Sequence, residues 1–346
     1  MENSNNKKIR VAINGFGRIG RAFLKISWER NDLEIVAVND LGSIESLAYL
    51  LRHDTVYRNW NHDVKIKDNN FFIDNKEVKF ISEKDTTKLP WSDLNIDVVV
   101  ESTGLFTSFD KAKFHLDCGT KKVVISAPSK GSDGSVKGET ILLGVNENKF
   151  GTSDITSNAS CTTNAASPLI AILHDAIGID KAILNTVHGY TASQALVDGP
   201  SKKDLREGRA AAQNIVPSST GAAIAVTEAF PDLKGLFDGV SIRVPVPAGS
   251  IVDITFIAKR NTTKEEINEI LKREAQDPHW SKLFAVTEEP LVSSDILGES
   301  HACIADLEMT RVVGGNLVKV LGWYDNEMGY TYTLVDHVVK TGLSIK

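Results

Sequence analysis

The stretch Ile9–Gly20 narrows the possible folds of this chain more than any other. Ile9-Arg-Val-Ala-Ile13 alternates into a short apolar strand and runs directly into Asn14-Gly15-Phe16-Gly17-Arg18-Ile19-Gly20, after which Arg21-Ala-Phe-Leu-Lys-Ile26 reads as a helix. Strand, GxGxxG turn and helix in that order open a βαβ unit that binds a dinucleotide. Gly15 allows the tight turn, Gly17 lets backbone approach a pyrophosphate, and Gly20 lets helix and strand pack closely. Amide N–H groups at the helix start then face the phosphates, where the helix dipole favours negative charge.

A second strand follows, Glu34-Ile-Val-Ala-Val-Asn-Asp40, and it ends in an acid. A carboxylate there can hydrogen-bond the adenosine ribose diol and repel a 2′-phosphate, so NAD is expected, with NADP still possible. The other reading of Asp40 is a cap for the next helix. Asp97-Val-Val-Val-Glu101 and Lys122-Val-Val-Ile-Ser126 are β-branched runs of the kind found where both faces of a parallel sheet are covered. Each leads into small polar residues, Ser102-Thr103-Gly104 and Ser126-Ala-Pro128. Ligands of open α/β sheets bind beyond such strand ends, but an ordinary turn has the same composition.

The chain has 346 residues, 42% of them hydrophobic, enough for about two domains with a substantial core. No apolar run approaches the ~20 residues of a membrane span, and the polar start Met1–Lys8 does not read as a signal peptide. Three cysteines, Cys118, Cys161 and Cys303, are too few and too scattered for a disulfide framework or a zinc site. A reducing, cytoplasmic setting is expected, with no metal. A net charge of −6 argues against a broad nucleic-acid footprint. Lys202, Lys203, Arg206 and Arg209 gather positive charge locally, either as a solvated loop or as an anion attractor.

Ser157-Asn-Ala-Ser-Cys161-Thr-Thr-Asn164 is rich in helix-capping residues and precedes Ala165–His174, which reads as an amphipathic helix. Cys161 therefore lies at or near a helix N-terminus, where partial positive charge stabilises a thiolate. Its polar neighbours favour a reactive cysteine over a packed one, whereas Cys118 and Cys303 read as packing residues. A thiolate nucleophile needs a base. Among eight histidines, His188 stands out: Ala182–Val187 reads as a strand, and His188-Gly-Tyr-Thr191 leaves it into a polar loop. On these residues alone His188 is first a structural strand-end histidine, and no spacing joins it to Cys161.

The motifs NGFGRIGR, ESTG, ISAPSKG, SNASCTTN, TVHGYTASQ, RAAAQNIVPSSTGAA, IRVPVPAGS and GWYDNEMGY follow one another nearly end to end. Together they resemble the phosphorylating glyceraldehyde-3-phosphate dehydrogenase family. The resemblance implies an α/β Rossmann-type NAD(P)-binding domain over 1–160, with a parallel sheet. It also implies an α+β catalytic domain over 161–325, with a mixed or antiparallel sheet, and a C-terminal helix at 326–346 that returns to the first domain. It makes Cys161 the nucleophile and His188 its base. Thr191 and Arg243 would hold the substrate phosphate, and Ser160, Thr162, Thr220 and Gly221 the attacking phosphate. An arginine inside a strand-like segment, as Arg243 is, would be costly unpaired, and a dianion would compensate it; a surface arginine on an edge strand is the alternative. For NAD the resemblance adds Arg18 and Ile19 beside Gly15 and Gly17, then Asp40, Lys84 and Ser126. Asn326 would orient the nicotinamide carboxamide.

The implied reaction oxidises glyceraldehyde 3-phosphate with inorganic phosphate, and the implied assembly is a homotetramer. An erythrose-4-phosphate dehydrogenase and a catalytically idle nucleotide-binding protein are the alternatives. Departures from the family pattern include Ala165 after CTTN, Ile224 where lysine is common, and Arg58-Asn59-Trp60 in place of a usual glycine turn.

Overall fold

The structure, a computed structural model, describes residues 8–129, 134–201 and 204–345. Lys202 and Lys203, and all of the polar lead-in except Lys8, lie outside the described residues. Two compact units result: one of Met1–Ile141, Glu147–Ala159 and Thr331–Lys346, the other of Leu142–Asn146 and Ser160–Tyr330.

In the first unit a nine-stranded sheet is built around the strand Ile9–Asn14. Its neighbours Leu33–Asn39 and Val98–Glu101 both run parallel to it, as do Lys122–Ile125 and Ile155–Ser157 further out. Val11, Ile13, Val98–Val100 and Val123–Ile125 are completely buried. Covered faces on both sides explain why these strands are continuous apolar runs without alternation. The chain leaves Ile9–Asn14 to one side and later returns to its other side with Val98–Glu101. The carboxyl ends of the two strands therefore flank a crevice at a topological switch point. The far edge is antiparallel, formed by Val64–Lys67, Asn70–Ile73 and Lys76–Ile81.

Two glycines fix the turn into the helix Arg18–Trp28. Gly15 has φ +95°, and a Cβ on it would stand 2.6 Å from the Thr103 amide nitrogen. A Cβ on Gly20 would lie 2.2 Å from the Gly15 carbonyl oxygen. By contrast, Arg58 takes φ +65° in the small hairpin of His53–Asp54 and Arg58–Asn59. That left-handed conformation is one a glycine holds without steric cost, and arginine occupies it here.

The second unit carries a seven-stranded mixed sheet. An interior strand, Ile179–Gly189, pairs parallel with Phe237–Val244 and antiparallel with Ser250–Ala258. The strand runs through His188 and Gly189, two residues beyond the expected end at Val187, because Phe237–Val244 pairs with it over that whole length. The helix Cys161–Ile177 also departs from the amphipathic expectation: only Asp175 is exposed. The sheet covers one side of it, and the helices Ala222–Thr227 and Lys264–Gln276 pack on it as well. A helix enclosed in this way must be apolar all round. The α/β first unit and the mixed sheet of the second are the two fold classes expected.

Gly20→Ala should destabilise the fold by about 1–3 kcal/mol, because backbone rather than a flexible side chain blocks the new methyl. A denaturation midpoint equal to that of the parent would show that the turn relaxes without cost.

Candidate active site

Ser160 ends an extended segment and caps the helix, its Oγ accepting from the Thr163 amide at 3.0 Å. Cys161 is therefore the first helical residue, where amide N–H groups lack helical acceptors. On the facing strand, His188 brings Nε2 to 3.4 Å from Cys161 Sγ. The imidazole is buried, and its Nδ1 lies 2.7 Å from the Gly189 carbonyl oxygen. A carbonyl can only accept, so Nδ1 carries the proton and Nε2 is the free acceptor facing the thiol.

Helix and strand are joined by a residue the sequence did not single out. Tyr324 is buried, and its hydroxyl lies 2.9 Å from Thr162 Oγ1 and 2.7 Å from Thr186 Oγ1. One phenol thus ties the first turn of the Cys161 helix to the His188 strand. Nothing in the local pattern around Trp323-Tyr324-Asp325 marks it; only the pairing of strands brings it under the cysteine.

Arg243 is the in-register partner of His188 on the neighbouring parallel strand. Its Nη1 donates to the Gly189 carbonyl at 3.4 Å, while its buried Nε has no hydrogen-bond partner. Among the described residues no carboxylate forms an ion pair with it. A half-buried guanidinium with an unused donor is suited to a bidentate anion.

Burial pushes the Cys161 thiol above its ordinary value, against the Arg243 charge and the hydrogen bonds of Thr162 and the Cys161 amide. The expected lowering at the helix start is thus outweighed by burial. His188 is held down, to about 3, by burial and then by the Arg243 charge. Each group alone is neutral near pH 7, and proton transfer across the contact makes an ion pair with no change of net charge.

The remaining anion-site candidates surround the pair unevenly. Thr162 turns its hydroxyl inward to Tyr324, and Ser160 uses its own on Thr163. Thr191 lies two residues beyond Gly189, its hydroxyl 3.0 Å from that of Ser193, which the sequence reading had not named. Thr220 and Gly221 follow the strand Val216–Ser219, whose end pairs with Val240 rather than Arg243. The Thr220 hydroxyl accepts from the Ala222 amide, and among the described residues neither makes a hydrogen bond to Cys161, His188 or Arg243. Asn326 is buried, its Oδ1 accepting from Ser250 at 2.9 Å.

The first unit holds a separate cleft of about 460 Å³ at its switch point. Gly15, Gly17, Asp40 and Lys84 line it, together with Asn14 and Thr103. A Cβ on Gly17 would meet nothing within 4 Å, so backbone faces open space there. Asp40 accepts from the Phe16 amide at 2.7 Å and the Gly42 amide at 2.8 Å, which holds its carboxylate beside the glycine turn. Ser43, not Asp40, caps the next helix. A buried Glu101 accepts from Asn14 and the Thr103 amide, two of the lining residues, and from His115. The cleft therefore suits a dinucleotide: an open glycine turn at a helix start and an acid for a ribose. Arg18 is paired with Asp54 at 2.5 Å, and Arg18, Ile19 and Ser126 are not among the residues that form the cleft walls.

Among the described residues no cluster of His, Cys, Asp or Glu could hold a metal ion, and no helix is long and apolar enough to cross a membrane. Residues 9–109 match the family profile described as glyceraldehyde 3-phosphate dehydrogenase, NAD binding domain, and residues 160–326 match the profile of its C-terminal domain. The chain is 46% identical over 337 residues to glyceraldehyde-3-phosphate dehydrogenase 2 of Streptomyces avermitilis, covering 96% of this chain and 98% of that one. It is also 46% identical over 336 residues to the glyceraldehyde-3-phosphate dehydrogenase of Borreliella burgdorferi, covering 95% and 98%.

Because the Arg243 charge pulls the thiol down, Arg243→Gln should move the pH profile of Cys161 alkylation by iodoacetamide upward. The variant should react more slowly near pH 7 and match the parent at high pH. A profile displaced downward would contradict this electrostatic account.

Proposed function

The chain belongs to the glyceraldehyde 3-phosphate dehydrogenase family and is an NAD-dependent oxidoreductase that converts glyceraldehyde 3-phosphate and inorganic phosphate to 1,3-bisphosphoglycerate; we propose that Cys161 carries the reaction as a thioester, with His188 as its base. The 3.4 Å contact between Sγ and Nε2 supports this reading most strongly.

In the first step Nε2 takes the thiol proton and Sγ bonds to the aldehyde carbon, while His188 returns the proton to the new alkoxide. The product is a hemithioacetal on Cys161. His188 then removes the hydroxyl proton, so that the carbon–oxygen double bond reforms and leaves a thioester. NAD, when bound, would supply the hydride acceptor that this oxidation requires. A phosphate oxygen next attacks the thioester carbon, the carbon–sulphur bond breaks, and the sulphur leaves as a thiolate that His188 can reprotonate. A base contributes typically 10²–10⁴-fold to such proton transfers.

Arg243 and Thr191 would hold the substrate phosphate, and Ser160, Thr162, Thr220 and Gly221 the attacking one. The unused Nε of Arg243 favours its part in this. The Thr162 hydroxyl meets Tyr324, and the Thr162 side chain and amide also hydrogen-bond the Cys161 thiol, so a phosphate there would share these groups with the sulphur. For NAD, the cleft residues Gly15, Gly17, Asp40 and Lys84 would bind the adenosine and pyrophosphate, with Arg18, Ile19 and Ser126 beside them. Asn326 would meet the nicotinamide carboxamide. The Asp40 carboxylate would favour NAD over NADP. We also propose a cytoplasmic homotetramer; Ile183, Val240 and Val313, exposed apolar residues of the second sheet, support self-association. The three described cysteines are free, which suits a reducing compartment.

Without phosphate, reduced cofactor should appear as a burst of at most one per subunit, because the thioester cannot turn over. Cys161→Ser should abolish the burst and His188→Asn should slow it about 10²–10⁴-fold. Sustained turnover by Cys161→Ser would overturn the thioester mechanism.

A further inference from the structure

Ser250 opens the strand Ser250–Ala258 and is buried, with a hydroxyl between two groups of the site. The Gly189 amide donates to its Oγ at 3.2 Å, and its own O–H donates to Asn326 Oδ1 at 2.9 Å. Gly189 is also the residue whose carbonyl takes the proton of His188 Nδ1. The backbone of Asn326 is held independently. Asp325 is fully buried; its Oδ1 accepts from the Glu327 and Met328 amides and its Oδ2 from the Gly298 amide. What remains free is the orientation of the Asn326 amide group.

An amide side chain fits either way round by shape, so hydrogen bonding must choose. If Asn326 offered its NH₂ group to Ser250, the serine oxygen would accept twice and its own proton would need a third partner. Among the described residues, Gly189 and Asn326 are the only hydrogen-bond partners of that hydroxyl. A buried donor left unpaired costs about 1–3 kcal/mol, enough to settle the orientation at better than fivefold. Oδ1 therefore faces Ser250, and the NH₂ group is directed elsewhere.

We propose that Ser250 is a positioning residue: its hydroxyl fixes Asn326 as a hydrogen-bond donor to the nicotinamide carboxamide oxygen and ties it to the strand that carries His188. This rests on the assignment of Asn326 to the nicotinamide. A donor held one way round binds the carboxamide through its oxygen only, and so fixes how the nicotinamide lies. Loss of the hydroxyl frees the amide to flip and present an acceptor instead.

The test compares binding of NAD with binding of ADP-ribose, which lacks the nicotinamide, to the intact chain by titration calorimetry. Ser250→Ala should weaken NAD about 3- to 10-fold, the size of one net hydrogen bond, and leave ADP-ribose within about twofold. Ser250→Thr, which keeps the hydroxyl, should restore the parent ratio. Asn326→Asp keeps an acceptor toward Ser250 but replaces the donor by a charged carboxylate oxygen, so, measured at high salt to screen that charge, it should lose the same preference for NAD. It also keeps the test decisive if Ser250→Ala does not fold. An unchanged ratio in Ser250→Ala beside a changed one in Asn326→Asp would overturn the role of Ser250 alone. Unchanged ratios in Ser250→Ala and in Asn326→Ala would overturn the assignment of Asn326, and this inference with it. A ratio preserved in Asn326→Asp but lost in Asn326→Ala would show that Asn326 acts as an acceptor, the reverse of what is proposed.

Discussion

The Tyr324 hydroxyl is the pin on which the second unit's chemistry depends. The cysteine sits on a helix and the histidine on a strand. Apart from the thiol–imidazole contact, the direct hydrogen bond between the two elements, from the Ile179 amide to His174 Nδ1, lies at their other end. The phenol bonds to Thr162 on one and Thr186 on the other, within two residues of the sulphur and the imidazole in both cases. Because Tyr324 is fully buried at the end of the strand Leu317–Tyr324, that bridge is set by sheet register and cannot drift with solvent. A 3.4 Å contact between thiol and imidazole follows from it.

Charge around that contact is arranged sparingly. Burial raises the thiol and lowers the imidazole, so separate ionisation of either group is disfavoured. Transfer of a proton between them avoids that penalty because the pair stays neutral overall. Arg243 adds one positive charge beside both, its Nη1 donating to the Gly189 carbonyl. Gly189 is thus shared: its carbonyl accepts from His188 and Arg243, and its amide donates to Ser250. The His188 imidazole, the Arg243 guanidinium and the Ser250–Asn326 pair converge on one residue.

Much of the first unit was legible in the sequence because its determinants are local. The strand, the glycine turn and the helix are consecutive, and the structure supplies a steric reason for Gly15 and Gly20 and open space at Gly17. The β-branched runs at Val98–Val100 and Val123–Ile125 needed only their composition to read as buried parallel strands. The second unit was less legible. Ser160 and Cys161 could be placed at a helix start from capping residues alone, but the enclosure of that helix came from distant strands and helices that no local period reveals. The extension of the strand Ile179–Gly189 through His188 reflects pairing with a partner some fifty residues away, Arg243 opposite His188. Tyr324 and Ser250 left no signal, since a tyrosine and a serine among apolar neighbours are ordinary. Family resemblance joined Cys161 to His188, and only geometry showed what holds them there.

The central claim is a covalent one, and mass measurement reaches it directly. Mixing the enzyme with glyceraldehyde 3-phosphate and NAD in phosphate-free buffer, quenching in acid and mapping the peptides should place a phosphoglyceroyl adduct on the peptide containing Cys161. Adding phosphate before the quench should remove it. An adduct on Cys118 or Cys303, or none on Cys161 while reduced cofactor has formed, would contradict the account.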